Sequence, residues 1–322
     1  MKEGLRPFDL SRDMGPVTDL LEVAFGDDLS AEGEEAVRAM RAMARFGPFL
    51  WLLSLMGLDG FLSGYVWMEE GRIVGHVTLS RDRLRGGYQI SNLAVDPWFR
   101  RRGIAKGLMR AALGEAKDGG APWVALEVRR TNLAAKSLYR VLGFQEVDAF
   151  SLLRLERIEP VDFVSHPDFQ IRSCRDGEER EAYRLWRRAL PKEALWLGVK
   201  GAWRPQRGSR LTQWFSFGRW RWQRWVAERK GEILGLLSLQ ASSTSRPHLL
   251  QMVVHPHWRG KVEESLLTRA LSLVEADPQK KVMAKLYLSY DQMREVLERY
   301  GFSEVETLER MILKLEEGDD HI

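Results

Sequence analysis

Residues 93–108 read LAVDPWFRRRGIAKGL. Leu93, Ala94 and Val95 continue an apolar run from Ile90, which predicts a central strand. Asp96 and Pro97 force a turn. Arg100-x-x-Gly103-x-Ala105 follows, and Leu108, Met109 and Ala112 then recur at helical spacing. The stretch is therefore a strand, a basic loop and a helix start. A helix N-terminus offers free backbone N–H groups and a positive dipole end. Gly103 and Ala105 are small enough to let an anion reach that backbone. Arg100, Arg101 and Arg102 crowd more positive charge where the dipole is already positive. An anion seated there resolves the conflict, and a pyrophosphate fits.

The same plan recurs about 160 residues later as MVVHPHWRGKVEESLL (252–267). YVWMEEGRIVGHVTL (65–79) also pairs with WVAERKGEILGLLSL (225–239), each a strand, a turn at Gly71 or Gly231, and a strand. LYRVLGFQEVDAFSLLRLE (138–156) pairs with VLERYGFSEVETLERMILKLE (296–316), each a helix ending at a glycine, Gly143 or Gly301, before strands. GLRPFDLSRD and FQIRSCRDGEE open the two copies. The repeat predicts two α/β units, each β-α-α-β-β-β-α-β-α-β with a mixed (α+β) sheet. The expected domains are 1–158 and 168–316, joined near RIEPVDFVSHPDF (157–169), with an acidic tail at 317–322.

Bulk properties narrow the setting. The chain has 322 residues, 44% hydrophobic and 29% charged, with a formal net charge of +4. That is ordinary for a soluble protein and excludes a polycation, so nucleic-acid binding would need a local cluster. One cysteine, Cys174, excludes an internal disulfide, and the N-terminus lacks an apolar signal core. A cytoplasmic setting is expected. The apolar run FGPFLWLLSLMGL (46–58) is too short for a membrane span and reads as a buried helix or a lid. Asparagine occurs only at Asn92 and Asn132.

Arg100-x-x-Gly103-x-Ala105 after a LAV strand resembles the acyl-CoA signature of the GNAT N-acetyltransferases. LEVRRTNLAAKSLYRVLGF (126–144) resembles the next block of bacterial ribosomal-protein N-terminal alanine acetyltransferases. The resemblance implies two tandem GNAT domains and acetyl-CoA as co-substrate, with no metal. It implies that a pantetheine arm bonds the backbone of Leu93, Ala94 and Val95. The pyrophosphate would take the amides from Arg101 and Arg102 through Gly103, Ile104 and Ala105 to Lys106, beside Arg100. Asn132 would contact the pantetheine or orient the loop. Tyr139 would be the general acid and Glu127, twelve residues earlier, the base, unless a water takes that role. Asn92 stands where many relatives place an acidic residue. The acceptor is expected to be an amine, on a protein N-terminus or a small molecule. An α-amine with pKa near 8 is roughly a tenth neutral at pH 7, whereas a lysine is neutral in roughly one molecule in a few thousand. A weak carboxylate base therefore suits the α-amine better.

Plainer readings stand beside these. Asn132 is also a natural N-cap, Tyr139 also a core residue, and Glu127 also a partner for Arg129 or Arg130. His255 and His257 resemble a metal pair without further ligands nearby. In the second copy Gly103 becomes Val262, Ala105 becomes Glu264, Glu127 becomes about Lys285, Asn132 about Tyr290 and Tyr139 Leu297. This copy reads as a degenerate GNAT domain. Its WRPQRGSRLTQWFSFGRWRWQRW (203–225) holds six arginines, five tryptophans and no acid. Alternating Arg and Trp puts them on opposite strand faces. A core-packed strand, a nucleic-acid or acidic-partner surface, and an acceptor-recognition element all remain open. So does a non-catalytic binding protein as the whole chain's role, and the two units could pair as an intramolecular pseudo-dimer.

Overall fold

Asp9 starts the first helix by accepting the amide protons of Ser11 at 2.9 Å and Arg12 at 3.3 Å, which is N-cap chemistry. The computed structural model describes residues 3–26, 37, 40–41, 63–82, 86–189, 220–242, 247–288 and 290–315. The first half runs β1 (Gly4–Pro7), α1 (Leu10–Phe25), β2 (Ser63–Glu69), β3 (Arg72–Arg81), β4 (Tyr88–Val95), α2 (Ile104–Asp118), β5 (Trp123–Arg129), α3 (Leu133–Val141) and β6 (Gln145–Leu155). The second runs β7 (Gln170–Ser173), α4 (Glu179–Ala189), β8 (Trp220–Arg229), β9 (Glu232–Ser242), β10 (His248–Val254), α5 (Glu263–Val274), β11 (Val282–Tyr287), α6 (Asp291–Arg299) and β12 (Ser303–Lys314). One order, β-α-β-β-β-α-β-α-β, appears twice; the second helix expected before β2 and before β8 falls on stretches largely or wholly outside the described residues. The apolar run 46–58, residues 203–219 of the Trp/Arg stretch and the tail 317–322 lie outside the described residues.

The β2–β3 and β8–β9 hairpins each turn on two residues with positive φ. Glu70 and Gly71 have φ of 52° and 75°, and Lys230 and Gly231 have 49° and 84°. That is the type I′ requirement, whose twist matches the flanking strands.

The chain forms two compact units. The first comprises Met1–Val128, Asn132–Glu146 and Arg310–Ile322. Its strands run β1-β2-β3-β4-β5, with β12 beside β5. β4 and β5 are parallel, and the others among β1–β4 pair antiparallel. Leu108, Met109 and Ala112 of α2 pack on Val77, Leu79, Val124 and Leu126, with Met311 of β12 in the same core. Each fully buried leucine stabilises this core by roughly 2–3 kcal/mol. A Cβ on Gly107 would come within 2.7 Å of the Trp67 ring, so only glycine lets α2 lie this close to β2. On the other face Val17, Leu20 and Leu21 of α1 cover Val66 and Ala94.

The second unit comprises Arg129–Thr131 and Val147–Glu309. β7, β8, β9 and β10 pair antiparallel in turn, β11 lies parallel to β10, and β6 pairs antiparallel with β11 from Leu155↔Val282 to Phe150↔Tyr287. The compact units differ from the sequence halves 1–158 and 168–316 in their closing strands. From Val147 on, β6 belongs to the second unit; from Arg310 on, β12 belongs to the first. A repeat fixes element order but not which sheet a terminal strand joins. In the Trp/Arg stretch, Trp225 is core, and the Arg224 guanidinium lies 5.8 Å from the Trp222 ring.

Candidate functional site

The first unit opens its sheet at one place. β4 and β5 pair only at Tyr88↔Val124, Gln89↔Ala125 and Ile90↔Leu126. Past Leu126 the next residue on β5 is Glu127, and past Ile90 the β4 chain bulges. The β3–β4 register shifts between His76 and Thr78, so Ser91 pairs with Thr78 and Ala94 with His76. Asn92, inside the bulge, has φ 52°, a left-handed conformation that Asn adopts more readily than most residues. A bulge bends its strand. Leu93, Ala94 and Val95 therefore continue toward the basic loop with their β5-facing edge outside the β4–β5 ladder.

The loop beyond is built around its amides. Asp96 accepts the Trp98 amide proton at 2.9 Å and holds the turn Pro97–Phe99. Arg101 and Gly103 have φ of 65° and 83°. Gly103 is the N-cap of α2, with no side-chain cap and no acidic residue in the first turn. The first intrahelical bond, Gly107 N–H to Gly103 O at 2.9 Å, leaves the amides of Ile104, Ala105 and Lys106 without helical acceptors. A Cβ on Gly103 would meet nothing within 4 Å, so the approach is open.

The three arginines divide their work. Arg100 donates from Nε to Val95 O at 3.2 Å and from Nη2 to Ala24 O at 2.9 Å. Arg102 pairs with Glu69 at 3.4 Å and lies 4.7 Å from the Phe99 ring centroid. Both shape the loop. Arg101 is exposed and has no ion pair or side-chain hydrogen bond among the described residues.

Asn132 caps α3, its Oδ1 accepting the Ala135 amide proton at 3.0 Å. Tyr139 on α3 is 7% exposed, with the Phe144 ring 6.0 Å away. Its hydroxyl has no hydrogen-bond partner among the described residues. Burial pushes its pKa up to about 12, so it stays protonated at neutral pH. Glu127 is ion-paired, but with neither neighbouring arginine. Arg310 of β12 donates to its Oε1 from Nη2 at 2.8 Å and from Nε at 3.2 Å. In the second unit Arg129 goes to Glu306 and Arg130 to Glu309. No local pattern in the sequence links Glu127 to a residue 183 positions away.

The second unit builds the same frame with different residues at the matched positions. β10 pairs with β9 without a bulge, and the parallel β10–β11 ladder runs on to Gln251↔Lys285. That is three residues short of Val254, where the first unit's ladder stops five short of Val95. Val262 replaces the glycine N-cap with φ −96°. Glu263 is fully buried. Its carboxylate accepts the Val262 amide proton at 3.1 Å and the Tyr290 hydroxyl proton. Burial first, then that carboxylate, pushes the Tyr290 pKa up. A buried carboxyl group of the chain itself thus lies at this helix start, bonded to the Val262 amide. Glu264 meanwhile accepts from Arg299 and Tyr300. His255 Nδ1 takes the His257 amide proton at 3.4 Å, the capping role of Asp96.

Residues 27–144 match the profile of the Acetyltransferase (GNAT) family. The [ribosomal protein bS18]-alanine N-acetyltransferase of Salmonella typhimurium is 46% identical over 55 residues, 17% of this chain and 37% of that protein. The N-alpha-acetyltransferase RimI of Mycobacterium tuberculosis is 40% identical over 79 residues, 24% of this chain and 48% of that protein. The chain thus spans less than half the length of these curated relatives. A GCN5-related N-acetyltransferase from Sphaerobacter thermophilus superposes with TM-score 0.66 at 17% identity, covering 98% of each chain. A tandem GNAT protein from the clavulanic acid biosynthesis pathway superposes with TM-score 0.61 at 15% identity, covering 98% of this chain and 99% of that one. The match to the GNAT acetyltransferase family covers residues 27–144, and the chain as a whole shares its fold with a tandem GNAT protein.

Proposed function

We propose that the first domain, residues 1–158 completed by the end of β12, binds acetyl-CoA and transfers its acetyl group to a primary amine by direct attack. Acetyl-CoA supplies an activated thioester. The amides from Arg101 to Lys106 hold its pyrophosphate, with Arg101 adding charge, and the open edge of Leu93–Val95 takes its pantetheine arm. Asn132, whose Oδ1 is used in capping, has its NH2 group left for that arm. Glu127, directly or through a water, accepts a proton from the amine ammonium. Tyr139 donates its hydroxyl proton to the leaving sulfur. The acceptor we favour is the α-amine of a protein N-terminus, in keeping with the relatives' names and with a weak carboxylate base. Among the described residues no helix is long and apolar enough to cross a membrane, and we place the reaction in the cytoplasm.

The observation that carries this reading is the contrast between the two helix ends. The Gly103 end has a left-handed glycine N-cap and no acid in its first turn, whereas the Val262 end carries Glu263 and Glu264 there, with the Glu263 carboxylate buried against the Val262 amide. The second unit accordingly acts without acetyl-CoA. Purified protein incubated with acetyl-CoA and a panel of peptides and small amines should release CoA. No release and no thermal shift with acetyl-CoA would refute the proposal. The Arg310 ion pair on Glu127 favours one rival, a binding protein that keeps the fold without catalysis. That rival expects a thermal shift without CoA release.

A further inference from the structure

Behind the β4 bulge runs a line of hydrogen bonds whose direction is fixed at one end. His76 Nδ1 lies 3.1 Å from the backbone carbonyl of Tyr65. A carbonyl can only accept, so Nδ1 carries the proton. His76 is buried, and burial lowers its pKa to about 4, so the ring is neutral and Nε2 is an acceptor. Nε2 lies 2.9 Å from Thr78 Oγ1, so the Thr78 hydroxyl donates its single proton there. What remains on Thr78 is acceptor capacity, and Asn92 Nδ2 fills it at 3.2 Å. The orientation of the Asn92 amide follows from the chain of donors, independently of how its oxygen and nitrogen are assigned. Its NH2 faces β3. Its Oδ1 faces away from β3 and has no partner among the described residues.

The position gives that oxygen a use. Asn92 is exposed, two residues past the last β4–β5 pair. The His76 ring lies tilted beside Phe8, with ring centroids 5.2 Å apart, and Ala94 packs under α1. The polar line thus lies on the α1 face of the sheet. The phosphate seat belongs to α2, whose Ile104 and Leu108 pack over Gly75 on the opposite face. Acyl donor and acyl acceptor can therefore approach from opposite faces and meet where β4 and β5 part.

We propose that Asn92 Oδ1 accepts an N–H of the attacking amine and orients its lone pair, with Thr78 and His76 as positioning residues that fix the amide's direction. This rests on the acetyl-transfer reading above. It assigns amine recognition to a neutral acceptor where a carboxylate would instead hold the ammonium charged. Asn92 thereby favours amines that lose their proton easily.

The test uses the full chain, acetyl-CoA and peptides beginning with alanine, with CoA release followed at varied concentrations of each substrate. Asn92→Ala should raise the KM for the peptide about tenfold and leave the KM for acetyl-CoA within about twofold. Thr78→Val, which keeps the shape but not the hydroxyl, should raise the peptide KM about threefold, and Thr78→Ser should restore it. If Asn92→Ala fails to fold, the Thr78 pair decides alone. Unchanged peptide kinetics in Asn92→Ala, equal changes in both KM values, or a Thr78→Ser no better than Thr78→Val would each overturn the assignment while acetyl transfer stood. A wild-type protein releasing no CoA with any amine would overturn both.

Discussion

Replacing Tyr139 by Phe separates chemistry from packing, because the two predict opposite things of one substitution. The ring is 7% exposed and packs near Phe144, contacts that Phe retains. The hydroxyl has no partner among the described residues, so no hydrogen bond is lost, and stability at pH 7 should change by less than about 0.5 kcal/mol. Alkaline pH gives an internal control. Burial raises the Tyr139 pKa from 10.0 to about 12. A group raised on folding contributes stability that is present below its unfolded pKa and lost as pH rises toward the folded value. Two units correspond to roughly 2–3 kcal/mol lost between pH 10 and 12, about half of it by pH 11. Tyr139→Phe escapes that loss, so above pH 10 it should become the more stable protein. Tyr65 and Tyr300 are also raised, but they are present in both chains and cancel in the difference. Activity should move the other way: loss of a general acid lowers kcat on the order of a hundredfold or more. Urea titrations at pH 7 and 11, with CoA release at pH 7, make the comparison. An unchanged kcat would refute the acid, and a pH-independent stability difference would refute the burial argument.

Gly103→Val must either hold a β-branched residue at φ 83° or relax toward the φ −96° of Val262. The first costs roughly 1–2 kcal/mol, and either course disturbs the amides, so the acetyl-CoA Kd should rise about tenfold or more by calorimetry. An unchanged Kd would move the phosphate seat elsewhere. Glu263→Ala strands the buried Tyr290 hydroxyl and should cost roughly 2–4 kcal/mol in urea unfolding, with one acetyl-CoA still bound per chain. A second equivalent in wild-type protein would contradict the self-filled site. His76, near 4 when folded, takes its proton near 6.5 when unfolded. The folded state binds fewer protons between those values, so stability falls as pH drops through the window, by up to roughly 3 kcal/mol. His76→Gln should flatten that slope, and parallel slopes in the two proteins would count against a buried neutral ring.

The sequence was most legible where chemistry is local. Gly71 and Gly231 mark turns because only certain residues take positive φ cheaply. The basic loop is readable because Gly103 and Ala105 sit beside three arginines. Even there the arginines look alike in sequence, and only their partners separate the loop-shaping Arg100 and Arg102 from Arg101. The Glu127–Arg310 pair and the direction of Asn92 were out of reach for a different reason. Both depend on which strands lie side by side, and strand adjacency is non-local. The substitution of Ile104 by Glu263 looks like one more surface charge until the fold buries it against Tyr290.

The membership of β6 and β12 bears on why the second copy persists. The first unit takes Arg310–Leu315 from the far end of the chain: Met311 lies in its core, Leu315 donates to Pro122 O at 3.1 Å, and Arg310 holds Glu127. A gene cut after residue 158 would encode β5 with its outer edge bare, a template for misassembly. If the first unit alone binds acetyl-CoA, as proposed, the second half was free to lose that ligand but not free to be deleted. Its substitutions could accumulate at the seat while selection on the neighbouring unit kept its last strand, and with it the reading frame, intact.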